Sequence, residues 1–128
     1  MKKISLLTKI TFHTFNIGLI LIYLYPGSIL GQLIHDDIQK QPELSTDFLI
    51  FSSNHVYAFM AVSLLGVISY NNEKITILLI YLFFISIVLE LCHVLIPERS
   101  FQYKDLFGNL FGVILIFILF KLYNFFKS

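Results

Sequence analysis

Long apolar runs, separated by short polar segments, dominate this chain. A helix needs about 20 mostly apolar residues to cross the hydrocarbon core of a bilayer, and four of the runs approach that length. Polar segments such as "NNEK" between them are typical of turns. The pattern therefore predicts four transmembrane helices, at about residues 10–30, 53–70, 75–96 and 106–122.

The composition favours a membrane protein over a soluble one. Hydrophobic residues make up 57% of the 128 residues and charged residues 13%, whereas a soluble domain carries about twice that share of charge. The length suits one domain, so we expect a single all-α, polytopic membrane domain over residues 1–128. The net charge of +1 argues against binding to nucleic acid. Membrane lipid is the expected partner, with a membrane protein or a second copy as further options.

Basic residues orient the predicted bundle, because cytoplasmic loops of membrane proteins carry an excess of lysine and arginine. With four spans, both termini and the "NNEK" turn share one side. That side holds six basic residues: Lys2, Lys3, Lys9, Lys74, Lys121 and Lys127. The other side holds three: Lys40, Arg99 and Lys104. We therefore expect both termini in the cytoplasm, the segments 31–52 and 97–105 outside, and a location in the bacterial inner membrane.

The lysines before the first apolar run are also typical of a secretory signal peptide. However, the segment "YPGSILGQL" after this run offers no small-x-small cleavage site. We therefore expect the first helix to be retained in the protein.

Ionisable residues interrupt the apolar runs in the segment "ELCHVLIPERSFQYKDLFGNLFG" and at His55. In the four-helix arrangement they all lie near the outer ends of the helices. The i, i+3 spacing of Glu90 and His93 puts both on one helical face. A charge at the centre of a membrane helix costs about 2.5–3.5 kcal/mol. We therefore expect a polar pocket just inside the outer leaflet, in which Glu90 or Asp105 pairs with Arg99.

Each of these residues also has a purely structural interpretation. Glu90 and Arg99 would pair only to hold two helices together, and the two histidines would hydrogen-bond backbone groups at a helix interface. Asp105 would cap the N-terminus of the fourth helix. The sequence leaves both interpretations open, and the grouping of so many polar residues favours a site.

Small and amide side chains mark the start of the fourth helix. Gly108 and Gly112 are four residues apart, so they share a face and predict close contact with another helix rather than ligand binding. Asn109 lies between them, and in the structural interpretation it joins two helices by hydrogen bonds.

Metal binding is a further alternative for the polar residues. The segment from Glu90 to His93 has the E-x-x-H spacing of di-iron sites in helix bundles, but those sites need a second such step and further carboxylates. A zinc ion held by His55, His93, Glu90 and Asp105 is the alternative that these residue types leave open. We expect no metal and no cofactor.

About residues 53–113 resemble the VanZ-like family of small membrane proteins. The family pattern is a histidine, an E-x-x-Q step, a proline, an arginine, an aspartate, an asparagine and a glycine, in that order. The matching residues are His55, Glu90, Pro97, Arg99, Asp105, Asn109 and Gly112, and "RSFQYKDLFGNLFG" is the most specific stretch. Two positions depart from the pattern, because Phe51-Ser52 replaces an Asp-Lys pair and His93 replaces the glutamine.

The resemblance implies a polar site that acts on phosphate- or sugar-bearing lipid head groups, and we take a membrane enzyme of this kind as the leading hypothesis. An imidazole would serve as general base or nucleophile, and Glu90 would orient it or act as the acid. Arg99 would clamp an anionic group. The predicted catalytic residues are His55, Glu90, His93 and Asp105; the predicted substrate-binding residues are Arg99 and Asn109.

Two other classes of function remain open. A non-catalytic protein would bind a lipid or a drug, or would assist a partner membrane protein in glycopeptide resistance, from which the VanZ-like family takes its name, or in other envelope processes. A proton-coupled transporter would need to oligomerise, because four short helices leave little room for alternating access.

Overall fold

The computed structural model describes residues 2–39, 45–47, 50–70, 74–97 and 99–127. In this part of the chain every long element is an α-helix. The helices in chain order are α1 (Lys2–Leu24), α2 (Ile29–His35), α3 (Ser53–Tyr70), α4 (Ile75–Cys92) and α5 (Tyr103–Lys127). The expected all-α class is confirmed, and the short helix α2 is an addition that the apolar pattern did not predict.

Within the part of the chain that the structure describes, three helices are long and apolar enough to cross a membrane. The candidate spans are Ser5–Leu24 in α1, Ile75–Cys92 in α4 and Tyr103–Lys127 in α5. Helix α3 differs because it begins with three polar residues, Ser53, Asn54 and His55. Large apolar side chains such as Ile80 and Phe84 are exposed on α4, which suits contact with lipid rather than water. The chain thus has the features of an integral membrane protein.

Contacts near the helix ends show that the long helices alternate in direction. At its middle, α1 contacts the end of α3, where His13 Nε2 lies 2.8 Å from the Tyr70 hydroxyl. Near its end, α1 contacts the start of α3, where the Tyr23 hydroxyl lies 2.8 Å from His55 Nδ1. His93, just after α4, reaches the carbonyl of Tyr23 at 3.0 Å. We call the end with Tyr23, His55 and His93 the site end, and the opposite one the Tyr70 end.

The core lies around α3, which contacts α1, α4 and α5. Phe59 and Val62 of α3, Leu82 of α4 and Val113 of α5 are completely buried. These apolar side chains form the centre of the core.

Two glycines bring α5 close to α3. A Cβ atom added at Gly112 would lie 2.7 Å from Val56 O and 2.9 Å from Met60 N. A Cβ atom at Gly108 would lie 2.9 Å from Ser52 O. Backbone atoms occupy the space that a side chain would need, so the prediction that these glycines permit close helix contact is confirmed.

The helix ends differ from the predicted ones at several places. Helix α1 begins at Lys2 rather than at about residue 10, and α5 ends at Lys127 rather than at about residue 122. The first predicted helix runs to about residue 30, whereas α1 ends at Leu24. Gly27 has a φ of 90°, which breaks the helix, and Ser28 restarts it by accepting from Gly31 N at 2.9 Å. The third predicted helix runs to about residue 96, whereas α4 ends at Cys92 and continues as tight turns before Pro97.

Candidate functional site

Tyr23, His55 and Asn109 form the centre of the site, where α1, α3 and α5 meet. The Tyr23 hydroxyl lies 2.8 Å from His55 Nδ1 and donates to Asn109 Oδ1 at 3.1 Å. His55 Nδ1 lies 2.8 Å from the same Asn109 oxygen. Asn109 is completely buried, and Tyr23 is 7% exposed. The three side chains therefore join three helices through one hydrogen-bonded group.

The orientation of Asn109 fixes the tautomer of His55. Asn109 Nδ2 donates to Ser86 O at 2.9 Å, and a carbonyl can only accept, so it is the amide oxygen that faces His55. That oxygen also only accepts, so His55 Nδ1 must carry the hydrogen between them. In a neutral His55, the other nitrogen, Nε2, then carries an unshared electron pair.

This nitrogen faces Asp105. Its distance from Asp105 Oδ1 is 3.6 Å, which is longer than a hydrogen bond between these atom types. Asp105 lies in the first turn of α5, after the start of the helix at Tyr103, and not at the N-cap position that the structural interpretation gives it. The side chains of His55 and Asp105 are 14% and 15% exposed, so little solvent reaches the space between them.

Glu90 and His93 form a second histidine–carboxylate pair beside the first. Glu90 is completely buried, and its Oε1 accepts from Gln102 N at 3.0 Å. Its Oε2 lies 3.3 Å from His93 Nδ1, but the contact is not aligned as a hydrogen bond, and Oε2 has no hydrogen-bond partner among the described residues. His93 Nε2 faces Tyr23 O at 3.0 Å and must donate to it.

Arg99 corrects one prediction. Its Nε donates to Tyr25 O at 3.2 Å and its Nη2 donates to Ile22 O at 3.0 Å. Within the described ranges no ion pair joins Arg99 to Glu90 or Asp105, so the predicted pairing is wrong. The last carbonyls of α1 have no partner within their own helix, and Arg99 supplies donors to them. Burial lowers the pKa of the Arg99 guanidinium.

An exposed ion pair ties the segment before α3 to the start of α5. Lys104 Nζ donates to Asp47 Oδ2 at 2.9 Å, and Asp47 Oδ1 accepts from Ser53 N at 3.2 Å. The hydrogen bond from Lys104, more than any other contact, lowers the pKa of Asp47. This ion pair lies at the site end, because Lys104 directly precedes Asp105 in the sequence. Its carboxylate, Asp47, is exposed to solvent and is not part of the site.

The sequence-predicted residues are largely brought together at the site end. One ligand atom each from His55, Glu90 and Asp105 lie within 4.8 Å of one another. Asn109 is hydrogen-bonded to the hydroxyl of Tyr23, and His93 is hydrogen-bonded to the backbone carbonyl of Tyr23. Arg99, in contrast, donates to a backbone carbonyl of α1. We call these residues, apart from Arg99, the polar cluster: Tyr23, His55, Glu90, His93, Asp105 and Asn109.

Tyr23 is the member that sequence reasoning missed. It has no charge, and a tyrosine near the end of a membrane helix is usually interpreted as an interfacial aromatic. Its position three residues before Pro26, where the first helix ends, was the available signal. Its hydroxyl and its carbonyl contact His55, Asn109 and His93, so it links both histidines of the cluster.

A second polar region lies at the Tyr70 end. A cleft of about 420 Å³ opens there, lined among others by His13, Asn16, Tyr70, Lys74 and Tyr81. Asn16 Nδ2 donates to the Tyr81 hydroxyl, while its Oδ1 is buried and has no partner within the described part of the chain. None of the residues named as lining this cleft belongs to the polar cluster. The cleft is therefore not the pocket that the sequence predicts, which was expected at the site end.

The polar cluster offers two kinds of chemistry. Its imidazole nitrogens and carboxylate oxygens can transfer protons, and the three convergent groups of His55, Glu90 and Asp105 have the atom types that bind divalent cations. The zinc alternative drawn from the sequence also included His93 as a fourth ligand, but His93 does not belong to this group of three. Comparison with known proteins adds no assignment, since no family model, curated protein or solved structure matches this chain.

Proposed function

We propose that this chain is a four-span membrane protein that acts on phosphate- or sugar-bearing lipid head groups at the outer face of a bacterial inner membrane. Helix α3 would be the fourth span. Two observations support this assignment. Helix α3 contacts all three apolar helices, and it runs in the opposite direction to α1 and α4. The six-to-three distribution of basic residues supports a cytoplasmic position for the Tyr70 end and both termini.

One observation carries the enzymatic part of the proposal: two histidine–carboxylate pairs, one buried and one about 85% buried, share one end of a membrane protein. Ionisable groups within membrane helices are costly and mark functional sites by default. His55 is held by Asn109 through Nδ1 and presents Nε2 as a general base, while Asp105 stabilises the protonated imidazole. Glu90 and His93 form the second proton-transferring pair.

Arg99 and Asn109 have different parts in this proposal. Asn109 is completely buried and bonded on both sides, so it orients His55 rather than contacting a head group. Arg99 is half-buried, and its two bonds to α1 leave Nη1 without a hydrogen-bond partner among the residues that the structure describes. That group is placed to bind an anionic head group beside the cluster.

The resemblance to the VanZ-like family belongs to the same proposal. The residues that carry it include His55, Glu90, Asp105 and Asn109, which lie in the polar cluster. Gly112 matches the pattern because α5 must approach α3 closely next to the cluster. The resemblance supports a role in the cell envelope and in glycopeptide resistance.

A non-catalytic function is the second candidate. Asn109, one of the two predicted substrate-binding residues, is bonded entirely within the protein, and Arg99 caps α1. Both contacts are those of residues that stabilise a bundle. In this alternative the site end binds a lipid or a drug, or docks a partner membrane protein, without a chemical step.

The topology can be tested with single cysteines. In a background with Cys92→Ser, we expect Asp37→Cys to react with a membrane-impermeant thiol reagent added to intact cells. Lys127→Cys should react only after the membrane is permeabilised. The expectation follows from the alternating helices and the basic asymmetry. Labelling of position 127 alone in intact cells would place the polar cluster at the inner face and contradict the proposal.

The catalytic proposal predicts a large effect of Glu90→Gln. Glutamine can still accept from Gln102 N, so the fold should be kept, but it cannot transfer a proton. In lipid profiles of cells, the amount of one head-group species should change when the parent protein is produced. It should not change when the Glu90→Gln variant is produced. Asp47→Asn, the same change at the surface of the site end, should behave like the parent. An equal lipid change with Glu90→Gln would favour the non-catalytic alternative.

A further inference from the structure

Three side chains from three helices converge at the site end, and each of them offers an atom that can bind a metal. His55 comes from α3, Glu90 from α4 and Asp105 from α5, and one ligand atom of each lies within 4.8 Å of the other two. Glu90 is completely buried, and the other two side chains are about 85% buried. Two ionised carboxylates repel each other at short range, and a cation held between them would remove this repulsion.

The tautomer of His55 prepares it as a ligand. Asn109 Oδ1 requires the hydrogen of His55 to be on Nδ1, so Nε2 presents its electron pair towards Asp105. Histidines that bind metals usually donate their other ring N–H to an oxygen acceptor, which fixes the ring and the tautomer. Asn109 and Tyr23, neither of which belongs to the group of three, provide this support.

The distance between His55 and Asp105 fits a shared cation better than a direct bond. Nε2 and Oδ1 are 3.6 Å apart, whereas a hydrogen bond would bring them to about 2.7–3.2 Å. Zinc binds such ligands at about 2.0–2.2 Å, so the edge of its tetrahedral ligand set is roughly 3.3–3.6 Å long. The two atoms thus already have the separation of neighbouring ligands.

Within the described residues, no lysine or arginine forms an ion pair with the carboxylates of this group. Arg99 directs its bonds to the carbonyls of α1, and Lys104 pairs with Asp47. Within the described residues, the ion-pair partners of Glu90 and Asp105 are histidines only. Glu90 Oε2 is buried without a hydrogen bond. A buried carboxylate in this situation is costly unless it is paired or binds a metal.

We propose that His55, Glu90 and Asp105 bind one divalent transition-metal cation, of the zinc or manganese class. One nitrogen and carboxylate oxygens are a ligand set that these cations accept. Three protein ligands leave a coordination position open, as at catalytic rather than structural zinc sites. With the cation bound, His55 Nε2 is a metal ligand and not a general base, so the metal site replaces that part of the catalytic proposal. The site does not depend on a lipid substrate, and it is tested separately from the proposed function.

The test uses the full-length chain, purified in detergent and stripped with a chelator. After addition of Zn²⁺ alone or Mn²⁺ alone and removal of the excess, elemental analysis should find about one ion per chain for at least one of the two metals. Asp105→Asn and Glu90→Gln should each weaken binding at least about tenfold, since even the loss of a residue that only supports a ligand costs about 10–100-fold. His35→Gln, an exposed histidine of α2, should leave the stoichiometry unchanged.

Two results would overturn the proposal. One is that the parent protein retains neither metal. This result does not depend on the variants, so it would overturn the proposal even if a variant folded poorly. The other is a metal content that falls with His35→Gln as much as with Asp105→Asn, which would indicate surface binding. One bound ion together with an unchanged lipid profile supports the metal site and counts against the lipid-directed function.

Discussion

Replacing Gly112 with alanine is expected to destabilise the protein by about 1–3 kcal/mol, the usual cost of an extra group in a tightly packed contact. The added Cβ would lie 2.7 Å from Val56 O and 2.9 Å from Met60 N. Backbone atoms cannot rotate away as the tip of a side chain can, so α5 must move away from α3. Since Asn109 lies on the preceding turn of α5, that movement also disturbs its bond to His55.

The measurement is the free energy of unfolding in mixed micelles titrated with a denaturing detergent. Gly18→Ala is the matched control, because a Cβ at Gly18 has no atom within 4 Å among the described residues. Alanine is the better helix former by about 0.5–1 kcal/mol, so this control should be neutral or slightly stabilising. Equal stabilities of the two variants would show that the close approach of α5 to α3 is not needed for folding.

The membrane character and the helical class could be predicted from the sequence because they depend on composition and run length alone. The predicted segment 53–70 coincides with α3. The predicted end of α1 lies too late in the chain, because apolar residues resume at Ile29 and Leu30 after the interruption by Pro26, Gly27 and Ser28. An apolar run does not distinguish one long helix from a helix, a turn at Gly27 and a short second helix.

The grouping of polar residues at one end could also be predicted, because alternating helices bring the end of α4 and the starts of α3 and α5 together. The partner of Arg99 could not. Sequence reasoning paired it with a carboxylate, whereas the stronger demand for donors comes from the carbonyls of Ile22 and Tyr25 at the end of α1. The sequence does not show which backbone carbonyls lack a hydrogen-bond partner. A contact of this kind can therefore be recognised only once the position of the helix end is known.

The other large effect is expected from Asn109→Asp, which should cost about 2.5–3.5 kcal/mol, as a new charge within a membrane helix does. The two side chains have nearly the same shape, so no cavity forms. However, Asn109 Nδ2 donates to Ser86 O at 2.9 Å, and an ionised carboxylate would place a second acceptor opposite this carbonyl. It would also add a negative charge close to the carboxylates of Glu90 and Asp105.

Asn16→Asp is the comparison that separates the cost of the charge from the cost of the lost donor. Asn16 is also buried, but its amide faces the Tyr81 hydroxyl, which can reverse its role and donate to a carboxylate. Lys74 lines the same cleft. Unfolding free energies should therefore fall clearly less for Asn16→Asp than for Asn109→Asp. If both fell equally, charge burial alone would explain the loss, and the hydrogen bond to Ser86 would make no separate contribution to stability.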